Sequence, residues 1–217
     1  MYDLEDTIAN RHSTRLFLRD KPVPRELVTE ALELATRAPS NSNIQPWQVV
    51  FASGGARDRL VEALLTQADI ASPTVPPLPE QFAHYRRDLG SLVYGTMGVA
   101  RHDTEARRLA VLRNWEFFRA PLAGVISMHE DLDYVDAVAV GMFLQTFVLA
   151  LTARGLGTCV QVSVAGYPDI LRQQLHIGDE YRILCGIAIG YPDTTFPANS
   201  LDVPRNPIDA NVTFVDD

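Results

Sequence analysis

Ala137-Val138-Ala139-Val140-Gly141-Met142-Phe143-Leu144-Gln145-Thr146-Phe147-Val148-Leu149-Ala150-Leu151-Thr152-Ala153-Arg154 is the most apolar run in the chain, and Gly155-Leu156-Gly157 follows it at once. It is slightly short for a membrane span and carries Gln145, Thr146 and Thr152. A helix that is apolar all round in a soluble chain is buried on all sides. The run is therefore expected to be a central core helix or the core of an oligomer, not a membrane anchor. Gly155 suits the left-handed residue that ends such a helix.

Downstream, Thr158–Val164 is apolar and β-branched, Pro168 opens a short helix over Asp169–Leu175, and Tyr181–Ile189 reads as a buried strand closed by Gly190-Tyr191-Pro192. The tail ends in the strand-like Val212-Thr213-Phe214-Val215. Upstream, Leu122–Met128 is a buried-type strand, and residues 81–119 look helical in two or more pieces, broken near Gly90–Gly98. Pro73, Pro76, Pro77 and Pro79 exclude regular structure before them. The stretch from about 70 to 119 is read as a lid-like excursion. Residues 56–68 show helical spacing, Gln48–Ser53 a strand, residues 25–37 an amphipathic helix and residues 3–10 a short helix with an acidic start. Apolar strands with little alternation, mixed with long helices, indicate an α+β sheet covered on both faces. With no repeat or composition break, residues 1–217 are expected to form one domain with an extension from about 192.

The balance of 19 basic against 27 acidic residues gives a net charge of −8, so no general affinity for nucleic acid or anionic membrane is expected. Cys159 and Cys185 lie in apolar stretches without metal-ligand spacing, and the five histidines are scattered, so a metal site is not expected. The start Met1-Tyr2-Asp3-Leu4-Glu5-Asp6 is acidic where an export signal is basic and then apolar. A cytoplasmic protein with reduced thiols is the expectation.

Within this acidic chain two polar segments stand out. Arg11-His12-Ser13-Thr14-Arg15 offers two guanidinium forks and two hydroxyls, and Arg forks suit phosphate through paired, charge-assisted bonds. Ala38-Pro39-Ser40-Asn41-Ser42-Asn43-Ile44-Gln45-Pro46-Trp47 offers amides and hydroxyls suited to the edge of a heteroaromatic ring. Taken singly, the first is as readily a solvated helix end and the second a turn. Together they indicate a site for a phosphate-bearing ring cofactor. Tyr94, Arg101, Arg113, Trp115, Phe117, Phe118 and Arg119 are candidates for an aromatic and cationic entrance suited to an aromatic acid; core packing and solvent exposure are the alternative.

Four blocks, in order, carry a resemblance across essentially the whole chain. They are Arg11–Arg15; Pro39–Asn43 with Gln45-Pro46-Trp47; Gly155-Leu156-Gly157-Thr158-Cys159-Val160-Gln161; and Cys185–Pro192 followed by Asn199 and Arg205. In these the chain resembles the nitroreductase family, flavin mononucleotide (FMN)-dependent oxidoreductases. The resemblance implies an α+β fold with a mixed sheet sandwiched by helices, in an intertwined homodimer. It implies that Arg11, Ser13, Arg15 and Arg205 hold the phosphate and ribityl end of FMN, with His12 beside them. Pro39, Ser40, Asn41 and Asn43 match a loop that reaches the flavin from the other subunit, and Val160 and Gln161 a segment along its ring. Many relatives have Pro where Val160 stands.

The implied activity is transfer of reducing equivalents from NADPH or NADH, through FMN, to a small nitroaromatic or quinone acceptor in a ping-pong cycle. The flavin carries the chemistry, so no catalytic side chain is expected. Reductive dehalogenation, alkene reduction or flavin breakdown on the same fold stay open, as does a non-enzymatic flavin-binding module.

Overall fold

A computed structural model of the protein describes residues 3–216, so Met1 and Tyr2 of the acidic start and Asp217 of the tail lie outside the described residues. The elements run α1 (Leu4–Asn10), α2 (Arg25–Ala35), β1 (Gln48–Ser53), α3 (Gly54–Ile70), α4 (Ala83–Thr96), α5 (Thr104–Leu112), β2 (Leu122–His129), α6 (Tyr134–Thr152), β3 (Gly157–Gln161), α7 (Pro168–Leu175) and β4 (Tyr181–Gly190). Local chemistry sets the ends. Asp3 caps α1 by accepting from the Asp6 amide at 2.8 Å. Asp133 and Asp136 form a reciprocal capping box on α6. Gly155 then takes φ +75°, where an L side chain is strained, and lets the chain reverse into β3.

The four strands lie in the order β1-β2-β4-β3, and all three pairings are antiparallel. The expected mixed character comes down to an isolated parallel bridge between Ser13 and Thr158 on the edge strand β3. Alternation divides the strands between two cores, one per face. Ala123, Val125 and Ala188 join Leu60, Leu64 and Phe117 on one side, whereas Ile187 and Ile189 join Val28, Phe143 and Phe147 on the other. A bulge in the pairing after Ile126 leaves Leu184 without a cross-strand partner. Between the strands space is tight: a Cβ on Gly124 would stand 2.8 Å from Ile187 Cγ2 and 2.9 Å from Phe51.

By length and composition α6 is apolar enough to cross a membrane. Its Val140, Phe143, Phe147 and Leu151 fill the second core, which makes it the core helix of the fold. The expectation of burial on every side is not met within one chain, because Tyr134, Val135, Val138 and Met142 form an exposed stripe along the opposite face.

Of the apolar, β-branched stretch Thr158–Val164 only the part up to Gln161 is strand, and residues 162–166 form a 3-10 turn that buries Val164 against Gly186. The break expected near Gly90–Gly98 falls at the far end of that range, after Thr96, with Gly98 at φ +70°. One further expectation is corrected. The strand-like 212–215 is unpaired, with Phe214 81% and Val215 92% exposed, because no strand edge of the described residues reaches it. The excursion itself is pinned at its start. Thr74 N–H donates to Gly166 O at 2.9 Å and Tyr167 O–H to Ala71 O at 2.7 Å. Pro73 lies so close that a Cβ on Gly166 would come within 2.5 Å of it.

Candidate cofactor and acceptor site

The chain from Ser13 to Leu18 is laid against the end of the sheet by its backbone. Thr14 N–H donates to Thr158 O at 2.8 Å, Phe17 N–H to Phe118 O at 3.1 Å, and Leu18 N–H to Tyr191 O at 2.9 Å. Gly157 makes this approach possible, since a Cβ there would stand 2.5 Å from Thr14 Oγ1 and 2.8 Å from Pro192 Cγ. Asn199 locks the segment from the other side. Its Oδ1 accepts from Arg15 N–H at 2.6 Å, and its Nδ2 donates to Leu16 O at 2.8 Å and Asp193 O at 2.9 Å. The first and last sequence blocks thus meet in space.

Side chains of this segment point to two openings. Arg11, Ser13 and Val160 line a narrow cleft of about 170 Å³ against Gly141, Gln145 and Val148 of α6. Arg15 lines a cavity of about 1280 Å³ roofed by the excursion, with Asn114, Trp115, Phe118, Val162 and Ser163 on its inner wall. Residues alternate along β3, so Val160, 41% exposed, faces the cleft while Gln161 turns inward. Gln161 Nε2 donates to Asn114 O at 2.7 Å, and its buried Oε1 has no partner among the described residues.

The other expected residues are placed differently. His12 is exposed, with Nδ1 2.9 Å from Asn10 O, and lines neither opening. Pro39, Ser40, Asn41 and Asn43 lie on a loop held by Ser40 Oγ accepting from Gln45 N–H at 3.0 Å, with Ser42, Asn43 and Gln45 in left-handed backbone. That loop is fixed to α6 by Trp47 stacked on Phe143, ring centroids 4.7 Å apart, and contributes to neither opening within its own chain. Arg205 is on the exposed tail, donating to Val203 O and Pro204 O, and lines neither opening.

Of the entrance candidates, Tyr94, Arg101, Arg113, Trp115 and Phe118 line the large cavity. Phe117 is fully buried core, and Arg119 points outward beside Glu116 at 3.8 Å. Three consecutive left-handed residues, Phe117, Phe118 and Arg119, turn the chain so that Phe118 reaches the wall while Phe117 enters the core. Asn114 escaped the sequence reading. It accepts from Gln161, lies 3.4 Å from Ser163 Oγ through Oδ1, and donates Nδ2 to Val111 O at 2.9 Å. An isolated Asn at a helix end gives no pattern by which to find it.

Burial pushes the thiols up, to about 11 for Cys159 and about 12 for Cys185, so neither is a nucleophile near neutral pH. Among the described residues no His, Cys, Asp and Glu cluster could hold a metal ion.

The large cavity is thus cationic and aromatic-walled, beside the end of an antiparallel α+β sheet in an acidic chain, a charge pattern suited to small anions. The chain belongs to the nitroreductase family, whose model matches residues 8–191. It is 33% identical over 208 residues to 4-nitrobenzoate reductase of Pseudomonas putida, covering 94% of this chain and 91% of that one. It is likewise 33% identical over 224 residues to nitrobenzene nitroreductase of Ectopseudomonas oleovorans, covering 98% and 96%. Among solved structures it is similar to the FMN-dependent nitroreductase NfnB from Mycobacterium smegmatis in complex with NADPH, with a TM-score of 0.90 at 34% identity over 98% of this chain and 97% of that one.

Proposed function

We propose that the protein is a homodimeric, FMN-dependent oxidoreductase that uses NADPH or NADH to reduce nitroaromatic compounds and quinones. The observation that carries the reading is the bridging of Ser13-Thr14 onto β3, which sets Arg11 and Ser13 in one opening and Arg15 in the other. This donor set fits a phosphate-bearing ring cofactor. Arg11 and Ser13 would hold the phosphate end from the cleft and Arg15 the ribityl end from the cavity side, the charge-assisted bonds contributing about 1.5–3 kcal/mol each. Val160 would meet the ring, with Gln161 behind it tied to Asn114. When bound, FMN supplies the two-electron chemistry.

The chain's own residues position, shield and exclude. Trp115 and Phe118 give the ring and the acceptor an apolar wall, and the excursion roofs the cavity against water. In each two-electron turnover the reduced nicotinamide gives up a hydride and solvent a proton. The nitro group becomes nitroso and one of its oxygens leaves as water.

A dimer is supported by the exposed stripe Tyr134, Val135, Val138 and Met142 on α6. The loop Pro39–Asn43 packs on the same helix and lines neither of the two openings, as expected if it serves the partner's site. The tail after Pro192, with Phe214 and Val215 uncovered, would lie along the partner. Buried, protonated thiols accord with a cytoplasmic location.

The test is an anaerobic visible spectrum of the purified protein. Flavin bands that bleach with NADPH or NADH and return on adding a nitroarene are the expected result. A colourless protein that also fails to take up FMN would overturn the reading.

A further inference from the structure

Among the described residues the large cavity is lined by six arginines, Arg15, Arg86, Arg87, Arg101, Arg107 and Arg113, and by no Asp or Glu, in a chain of net charge −8. They form two tiers. Arg86, Arg87 and Arg101 are exposed at the rim, whereas Arg15, Arg107 and Arg113 are half-buried. Arg15 donates Nη1 to Ser13 O at 3.1 Å and belongs to the cofactor segment. Arg107 lies over the Tyr94 ring at 4.7 Å on the roof.

Arg113 is differently placed. Among the described residues its guanidinium has neither a carboxylate partner nor a hydrogen bond, and Nη1 is buried without a partner. The group lies 5.2 Å over the Phe196 ring, within cation–π range. Its neighbour Asn114 is bonded to Gln161, so Arg113 stands where the cavity meets the end of β3. A cation withdrawn from water without a counter-charge is unfavourable unless a ligand brings one. The planar fork of Arg matches a carboxylate through two parallel bonds.

We propose that Arg113 recognises the acceptor and that the acceptor is an aromatic carboxylate, its charge held by the guanidinium and its ring received by Trp115 and Phe118. The proposal rests on the nitroarene-reducing function above and narrows its substrate class. The relatives include one named for an acid, 4-nitrobenzoate, and one named for a neutral arene, nitrobenzene. The unpaired Arg113 and the absence of acid from the cavity wall assign this chain to the acids.

The experiment is a calorimetric titration of the FMN-loaded protein, without nicotinamide, with 4-nitrobenzoate and with its uncharged methyl ester. The acid is expected to bind at least about 10-fold more tightly than the ester, one charge-assisted pair corresponding to roughly 10- to 100-fold. Arg113→Gln removes that preference, and Arg113→Lys restores part of it. Arg59→Gln, an equal loss of charge on the exposed face of α3, leaves both affinities unchanged. Equal binding of acid and ester to the parent protein overturns the proposal without any variant. So does an Arg113→Gln protein whose NADPH affinity or FMN retention falls while its acid preference persists, because the guanidinium then serves a nucleotide phosphate. Binding is read without turnover, so these outcomes are separate from a failure of the flavin-bleaching test.

Discussion

Asn199→Ala is expected to loosen the cofactor segment from the far end of the chain. Asn199 is 7% exposed and makes three hydrogen bonds, accepting from Arg15 N–H and donating to Leu16 O and Asp193 O. The three losses are unequal. Leu16 O still accepts from Asp193 N–H at 3.1 Å, and Asp193 O from Phe196 N–H at 3.2 Å. Those two bonds are therefore worth about 1 kcal/mol each, whereas the orphaned Arg15 N–H loses its partner outright and costs about 1–3 kcal/mol. The total is about 4 kcal/mol, which for a chain of this size lowers the melting temperature by roughly 8–16 °C. Thermal unfolding of the flavin-free proteins reads this directly. FMN titration, followed by fluorescence quenching, should show weaker binding as well, because Arg15 loses its fixed backbone. A variant that melts within about 2 °C of the parent and keeps full FMN affinity would refute the view that Asn199 holds the segment in place.

Gly157→Ala should destabilise by about 1–3 kcal/mol through overpacking, because its Cβ would stand 2.5 Å from Thr14 Oγ1 and 2.8 Å from Pro192 Cγ. The matched control Gly55→Ala in the first turn of α3, where a Cβ meets only Arg59 Nη1 at 3.5 Å, should be neutral or stabilising in the same melting assay. The thiols give a pH dependence. Burial raises Cys159 to about 11 and Cys185 to about 12, above their ordinary value of 9.0. Above about pH 9 the unfolded chain therefore holds fewer thiol protons than the folded one, and stability falls as pH rises. The slope is about 1.4 kcal/mol per pH unit for each thiol until the folded group itself titrates. Replacing both cysteines with Ala should flatten stability between about pH 9 and 11 in denaturant titrations, and an undiminished slope would contradict the assignment.

The sequence carried most of the fold because its strong signals are local. Gln48–Ser53 is delimited by composition alone, Pro168 marks the first turn of α7, and Gly155 marks the reversal after α6. It failed where pairing decides. Val212–Val215 has strand composition and no partner edge among the described residues, and Val162–Val164 has it too but must turn to place Val164 beneath Gly186. The same division runs through the site. Residue type marked Arg11, Ser13 and Arg15 as candidates for phosphate binding, but which opening each lines depends on the alternation imposed by the Ser13–Thr158 bridge. Composition could not separate Arg113 from Arg119, since both are arginines beside aromatics. The left-handed turn at 117–119 separates them, sending Arg119 out to Glu116 and leaving Arg113 on the cavity wall without a counter-charge. Selectivity for an acceptor then follows from a backbone turn. Its left-handed residues are maintained against their intrinsic preference by the burial of Phe117 and Phe118 in the core.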